Sequence, residues 1–208
     1  MKSQKILMFG GAFDPFHKGH LDMIKMVIKA MQINHVILMP NYMCPNKIKP
    51  LLSGDDRVSM LDQMIKEELE QKYQNVSFEC SNYEIKQEKI CYTSDTIRFL
   101  KEKNPNDTFY LLIGSDNLFS FHLWKNYQAI INQVSLCVVR RGLESNEQYQ
   151  AYINDTFSEA KDKPLFIFGK NPINISSSKI RENIKNNVSI DKLVPGIVAK
   201  AIQEKKGY

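Results

Sequence analysis

Metal-ligand and redox spacings are missing from this chain. Its four cysteines, Cys44, Cys80, Cys91 and Cys137, stand far apart, and no two of them form a C-x-x-C pair. Zinc ribbons and dithiol redox chemistry find no support, and buried or idle thiols are the expectation. No apolar run approaches the length needed to span a bilayer. The first run, Ile6–Phe9, reaches glycine after four residues, too few for a signal-peptide core. These absences predict a cytoplasmic protein with no membrane partner. Charge is not concentrated either: 28 Lys and Arg against 23 Asp and Glu give a net +5, scattered along the chain. A nucleic-acid binder would gather that excess into a stripe, whereas a mild excess suits small phosphorylated molecules. The G-x-G-x-x-G fingerprint and the G-K-[ST] ending of a Walker loop are both absent, which disfavours a nicotinamide dehydrogenase and a P-loop enzyme. There are no internal repeats, no low-complexity tract, and no signal that sets an oligomeric state.

What remains is an ordinary globular composition, 43% apolar and 25% charged over 208 residues, long enough to bury one large core. Short apolar runs alternate with helical periodicity. Ile6–Phe9, His35–Met39, Val76–Cys80, Phe109–Ile113, Leu136–Val139 and Leu165–Phe168 read as strands, several of them continuous as in parallel sheets. Leu21, Ile24, Val27, Ile28 and Met31 fall at helical spacing. A second helix is predicted from about Asp55 through Leu69, capped by Ser53 or Asp55, and a third over Thr93–Lys103, ended by Asn104-Pro105. The alternation predicts an α/β, Rossmann-like, doubly wound and mostly parallel sheet with helices on both faces. Residues 140–163 are polar and weakly patterned, and read as a surface excursion within a single domain spanning residues 1–208.

Ligands of such sheets bind beyond the carboxyl ends of the strands. The first strand delivers Gly10-Gly11-Ala12-Phe13-Asp14-Pro15-Phe16-His17-Lys18-Gly19-His20. The glycine pair lets the backbone turn sharply and lets an anion approach without Cβ clashes. The following helix offers free N–H groups and the positive end of its dipole. His17 and His20 can donate N–H bonds to one phosphate, with Gly19 keeping the surface open. They can also carry partial positive charge near neutral pH. A zinc half-site is the competing reading, but no third ligand accompanies the pair.

The second strand delivers Pro40-Asn41-Tyr42, the fourth Gly114-Ser115-Asp116-Asn117, and the sixth Gly169 followed by Ile175-Ser176-Ser177-Ser178-Lys179-Ile180-Arg181. That last stretch reads as a loop entering a helix N-terminus. Ser178 and Arg181, three apart, share a helical face and can address one phosphate chain. Taken alone, a serine-capped surface helix with an exposed arginine is the favoured reading.

Gly-Gly-x-Phe-Asp-Pro-x-His-x-Gly-His directly after a first strand resembles the signature of the His-x-Gly-His nucleotidyltransferase superfamily. The serine-rich stretch resembles its second signature, Ile-Ser-Ser-x-x-Ile-Arg. Within that superfamily the resemblance narrows to the nicotinate-nucleotide adenylyltransferases and covers nearly the whole chain. Tyr92-Thr93-Ser94-Asp95-Thr96 is similar to their Tyr-Thr-x-Asp-Thr, and Gly114-Ser115-Asp116 to their Gly-x-Asp. His122-Leu123-Trp124 is similar to His-x-Trp, and Leu193-Val194-Pro195 to the closing Leu-Val-Pro. The resemblance implies transfer of AMP from ATP to nicotinate mononucleotide, with pyrophosphate released, deamido-NAD formed, and Mg²⁺ bridged by phosphates rather than held by protein ligands. It implies catalytic parts for His17, His20 and Arg181, and an ATP site of Gly10, Gly11, Phe13, Asp14, His17, His20, Gly114, Asp116, Ile175, Ser177, Ser178 and Arg181. It also implies a mononucleotide site of Lys47, Thr93, Trp124 and Lys125, in which Trp124, the one tryptophan of the chain, stacks on the pyridinium ring. Two departures stand out. Ala12 occupies a position that often carries a hydroxyl, and Cys44-Pro45-Asn46-Lys47 replaces a Pro-Pro-His-Lys loop. Nicotinamide mononucleotide or phosphopantetheine as acceptor, and a nucleotide-binding module without catalysis, stay open as alternatives.

Overall fold

The computed structural model describes residues 3–45, 49–158, 165–169 and 173–205. The six apolar runs become six strands: β1 (Lys5–Gly11), β2 (His35–Pro40), β3 (Ser77–Cys80), β4 (Thr108–Gly114), β5 (Ser135–Val139) and β6 (Leu165–Phe168). They form one sheet in the order β3-β2-β1-β4-β5-β6, every neighbouring pair parallel. This is the Rossmann-like arrangement that the alternation predicts. β5 is buried at every position and β4 at all but its first residue. A strand covered on both faces has no solvent side, which is why these runs are continuous rather than alternating.

The pleat sends β1 into two cores. Leu7 and Phe9 enter one with α1 (Lys18–Met31), α2 (Gly54–Met64), α8 (Ser177–Lys185) and α9 (Gly196–Glu204). Ile6 and Met8 enter the other with α4 (Thr93–Lys103), α5 (Ser115–Leu118) and α6 (Tyr127–Ile131). Each fully buried Leu or Ile side chain contributes roughly 1.5–3 kcal/mol of burial energy. A short α3 (Tyr83–Lys86) lies between β3 and α4.

Two elements depart from the expected pattern. The helix predicted through Leu69 is α-helical only to Met64 and continues as a π-helical segment, Ile65–Glu70. The wider turn keeps Ile65 and Leu69, four residues apart, both in the core. Ser53 is its cap, with Oγ accepting from the Asp56 N–H at 3.1 Å. Of the stretch 140–163, residues 159–163 lie outside the described residues, and α7 (Asn146–Thr156) forms within the rest. Ser145 and Gln148 build a reciprocal capping box, and Tyr149, 1% exposed, enters the second core with Tyr152, Ile153 and Phe157 packed beside it. Those four residues stand at helical spacing, an apolar stripe diluted by polar neighbours. Among the described residues no helix is long and apolar enough to cross a membrane.

Candidate active site

The strand order reverses between β1 and β4, and ligands of such sheets seat at that crevice. The glycine pair does not make the sharp turn expected of it. Gly10 and Gly11 stay extended at the end of β1, in register with Met39 and Pro40. The left-handed backbone falls instead on Phe13, at φ 48°, followed by a cis Asp14–Pro15 bond. Phe13 holds that conformation because its buried ring is fixed against Phe9, Phe16 and His20. Its side chain is therefore core, and only its backbone can face a ligand. Gly10 is exposed. A Cβ there would make only ordinary contacts, 3.8 Å to Met8 Cε and 3.9 Å to the Met39 carbonyl. The chain's own packing does not demand glycine at this position, so the open backbone leaves room for an incoming anion.

His17 and His20 cap α1 and each other. The His20 N–H donates to His17 Nδ1 at 3.2 Å, and the His17 N–H donates to His20 Nδ1 at 3.3 Å. The rings stack with centroids 3.5 Å apart and 12° between planes. Since both Nδ1 atoms accept, the neutral rings carry their proton on Nε2, leaving one N–H donor on each. Burial, reinforced by the nearby Arg141 guanidinium, pushes His17 down to about 3. Burial, then His17 and Arg141, push His20 well below the usual histidine range. The expectation of partial positive charge at neutral pH is thus corrected: low dielectric and a neighbouring cation both penalise imidazolium. Gly19 is required by this stack, since a Cβ would lie 2.8 Å from Ile173 Cγ2 and 3.0 Å from His17 Nδ1.

The second motif docks directly on the first. Ser176 caps α8, its Oγ accepting from the Lys179 N–H at 3.3 Å. Ser177 Oγ donates to the Pro15 carbonyl at 2.9 Å. Arg181 Nη1 donates to the Asp14 carbonyl at 2.6 Å, and Nη2 donates to Ser178 Oγ at 3.1 Å. Stretches more than 150 residues apart therefore meet beside the imidazole pair. The Asp14 carboxylate faces inward. It accepts the N–H groups of Leu51 and Leu52 at 2.8 and 3.1 Å, with Arg181 Nη1 3.8 Å away.

At the end of β4, the Asp116 carboxylate lies 3.7 Å from Arg141 Nη1. A Cβ on Gly114 would collide with Asp116, and would lie 2.6 Å from the Arg141 Cδ. At the acceptor end expected from the sequence, Tyr92 precedes Thr93 and caps α4 without a side-chain bond. The Lys125 ammonium lies over the Tyr92 ring, 4.1 Å from its centroid. Trp124, half-buried, leans on the buried Phe121 with ring centroids 5.1 Å apart. Thr93, Trp124 and Lys125 are thus gathered by Tyr92 and Phe121, whereas Lys47 lies outside the described residues. His122 bonds the Tyr152 hydroxyl at 2.9 Å and lines a cavity of about 560 Å³ on the α6–α7 side, to which neither His17 nor His20 contributes. Among the described residues no three His, Cys, Asp or Glu side chains converge as a metal cluster.

The model of the cytidylyltransferase-like family matches residues 8–183. A protein of Aquifex aeolicus named "Probable nicotinate-nucleotide adenylyltransferase" is 36% identical over 83% of this chain and 99% of its own length. One of the same name from Bacillus licheniformis is 31% identical over 99% of this chain and 98% of its own. The chain belongs to the nicotinate-nucleotide adenylyltransferase family. The fold is likewise shared with the Plasmodium falciparum nicotinic acid mononucleotide adenylyltransferase complexed with NaAD, at a TM-score of 0.77 and 17% identity, covering 97% of this chain and 95% of that one.

Two arginines at the crevice carry no motif or spacing that marks them in the sequence. Arg57 is buried, and its guanidinium donates to the carbonyls of Ala12, Asn41 and Leu52 at 2.8, 2.6 and 3.3 Å. It ties the first motif to the loop after β2. Its position mid-face on α2 gave no warning, because a lone arginine in a polar helix reads as solvated. Arg141 follows β5, donates through Nη2 to the Ile175 carbonyl at 2.6 Å, and has its own N–H bonded to Ser115 Oγ at 2.9 Å. It joins three strand ends. The signal was present: β5 also delivers its following residues, Arg140-Arg141-Gly142, to the carboxyl edge of the sheet.

Proposed function

We propose that this chain transfers AMP from ATP to nicotinate mononucleotide, giving deamido-NAD and pyrophosphate, as a step of NAD biosynthesis. The observation that carries the reading is the docking of Arg181 on Asp14 and of Ser177 on Pro15, which puts cation and imidazoles at one crevice. An oxygen of the acceptor phosphate attacks the α-phosphorus of ATP. The bond from that phosphorus to the α,β-bridging oxygen breaks, and pyrophosphate leaves with the electron pair. No enzyme-bound intermediate is needed, so the protein's task is alignment and charge neutralisation.

In this reading His17 and His20 aim neutral Nε2–H donors at the transferred phosphate. Their fixed stack needs no reorganisation as charge builds. Arg181 and Ser178 hold the leaving pyrophosphate. The open backbones of Gly10, Gly11 and Phe13 admit the phosphate chain, Gly114 and Asp116 receive the ATP ribose, and Ile175 and Ser177 shape the loop over it. Asp14 contributes as a brace, since both carboxylate oxygens already accept backbone N–H groups. Mg²⁺, which prefers oxygen ligands, would neutralise charge on the triphosphate. Phosphate and water oxygens, rather than protein side chains, would supply the ion's shell. Thr93, Trp124, Lys125 and Lys47 would hold the mononucleotide. A lysine beside the start of α4, which no side chain caps, favours an acidic ring substituent over an amide. All four thiols are free, as suits a reducing cytoplasm.

Incubation with ATP, Mg²⁺ and each mononucleotide in turn, with products identified by mass, tests the reading. Deamido-NAD and pyrophosphate, formed faster than the amide product, are expected. Absence of any dinucleotide with either acceptor would remove the assignment, and faster amide turnover would remove the acid preference.

A further inference from the structure

Glu84 is a buried carboxylate that the reaction outlined above does not use. It sits on α3, 6% exposed, and its Oε1 accepts the hydroxyl of Thr96 at 2.6 Å. Thr96, fully buried in the first turns of α4, also has its Oγ1 3.4 Å from the Tyr92 carbonyl. Tyr92 is the cap of α4, it precedes Thr93, and it carries the Lys125 ammonium on its ring. Ser94 Oγ, buried in the same turn, has no hydrogen-bond partner among the described residues. A carboxylate, a hydroxyl and a carbonyl thus run in a line from α3 to the segment expected to seat the acceptor.

We propose that Glu84 is a positioning residue for the acceptor: acting through Thr96, its protonation state sets the geometry of the Tyr92–Thr93 turn and hence the affinity for the mononucleotide. This rests on the reading that Tyr92 and Thr93 border the acceptor site. Thr96 has one hydroxyl proton. While Glu84 is ionised, its carboxylate takes that proton, and the Tyr92 carbonyl keeps only the backbone N–H groups of Asp95 and Thr96, at 2.9 and 3.1 Å. When Glu84 binds a proton it becomes the donor to Thr96 Oγ1, and the threonine hydroxyl turns to the Tyr92 carbonyl. Protonation also removes a negative charge from behind a helix N-terminus that is open to an anionic ligand.

The exchange falls in a usable range, because burial pushes Glu84 up to about 7 against the opposing bond from Thr96. The groups that face it are few. Tyr83 and Lys86 lie on its own helix, Lys89 and Cys91 on the connection, and Asp95 and Arg98 on α4, where they pair with each other at 3.0 Å. β2, against which α3 packs, contributes only His35 at its far start, and the start of α2, where Gly54 packs on Ile85, contributes Asp55 and Asp56.

The test compares KM for the mononucleotide and KM for ATP in the wild type and Glu84→Gln, from about pH 6 to about pH 8.5. The substrate phosphate titrates near 6 in both proteins, so the difference between them isolates Glu84. In the wild type, KM for the mononucleotide should rise with pH by about fivefold more than in Glu84→Gln, the equivalent of one neutral hydrogen bond. KM for ATP should follow one profile in both. Thr96→Ser should keep the wild-type profile, and Thr96→Val should lose it, which separates the relay from a mere loss of folding. Identical mononucleotide profiles in the wild type and Glu84→Gln, or a matching shift in both KM values, would overturn the proposal. Failure of the wild type to turn over at all would instead strike the functional reading itself.

Discussion

His17 and His20 spend Nδ1 on the first turn of α1, so each side chain is at once a helix cap and a source of one outward N–H. That double duty makes the two effects of substitution separable. His20→Ala should cost about 1 kcal/mol of stability through the lost cap. It should cost on the order of a hundredfold or more in kcat through the lost donor. Thermal melting and steady-state kinetics read the two independently, and near-normal turnover would take His20 out of the chemistry. Gly19 has a different reason for its identity. A methyl group there presses on Ile173 and the His17 ring, so Gly19→Ala should lose roughly 1–3 kcal/mol to overpacking. It should lose activity as the stack tilts. A urea midpoint unchanged from the wild type would show that the crowding relaxes at no cost.

Among elements, α8 matters less as a helix than as a carrier of Arg181. One guanidinium reaches the Asp14 carbonyl and Ser178 Oγ from two nitrogens, a fork that an ammonium cannot reproduce. Arg181→Lys should therefore keep the charge yet lower kcat/KM for ATP by about tenfold, the equivalent of one charge-assisted bond. A lysine variant with the wild-type kcat/KM would show that charge alone suffices. The loop after β1 is held from the other side by Arg57 on α2 and by Leu51 and Leu52 on Asp14. The imidazole pair thus stands on a frame drawn from α2, α8 and the loop after β2, none of which is its sequence neighbour.

For the molecule as a whole, two buried groups pull stability in opposite directions with pH. His17 is depressed from its ordinary 6.5 to about 3. Its contribution is complete above 6.5 and is lost as pH falls through that window. Glu84 is raised from its ordinary 4.5 to about 7. Its contribution is complete below 4.5 and is lost as pH rises toward 7. Glu84→Gln should therefore gain on the wild type between about pH 5 and pH 8, by at most about 3 kcal/mol, the equivalent of that shift. Denaturant unfolding at the two pH values measures it, and a constant difference would mean that Glu84 does not titrate in this range.

The strands and the two motifs were legible from local pattern, because continuous apolar runs and strand-end glycines, serines and histidines are properties of short stretches. All six strands were readable in that way, and so was the pairing of Ser178 with Arg181 on one helical face. Tertiary structure decided the rest. The neutrality of His17 and His20 comes from burial and from Arg141, more than 120 residues away. The inward turn of Asp14 depends on Leu51, Leu52 and Arg181, and α7 shows its apolar stripe only when Tyr149 meets a core to fill. Protonation, partner choice and burial are set by what surrounds a side chain in space, and no window of sequence contains that surrounding.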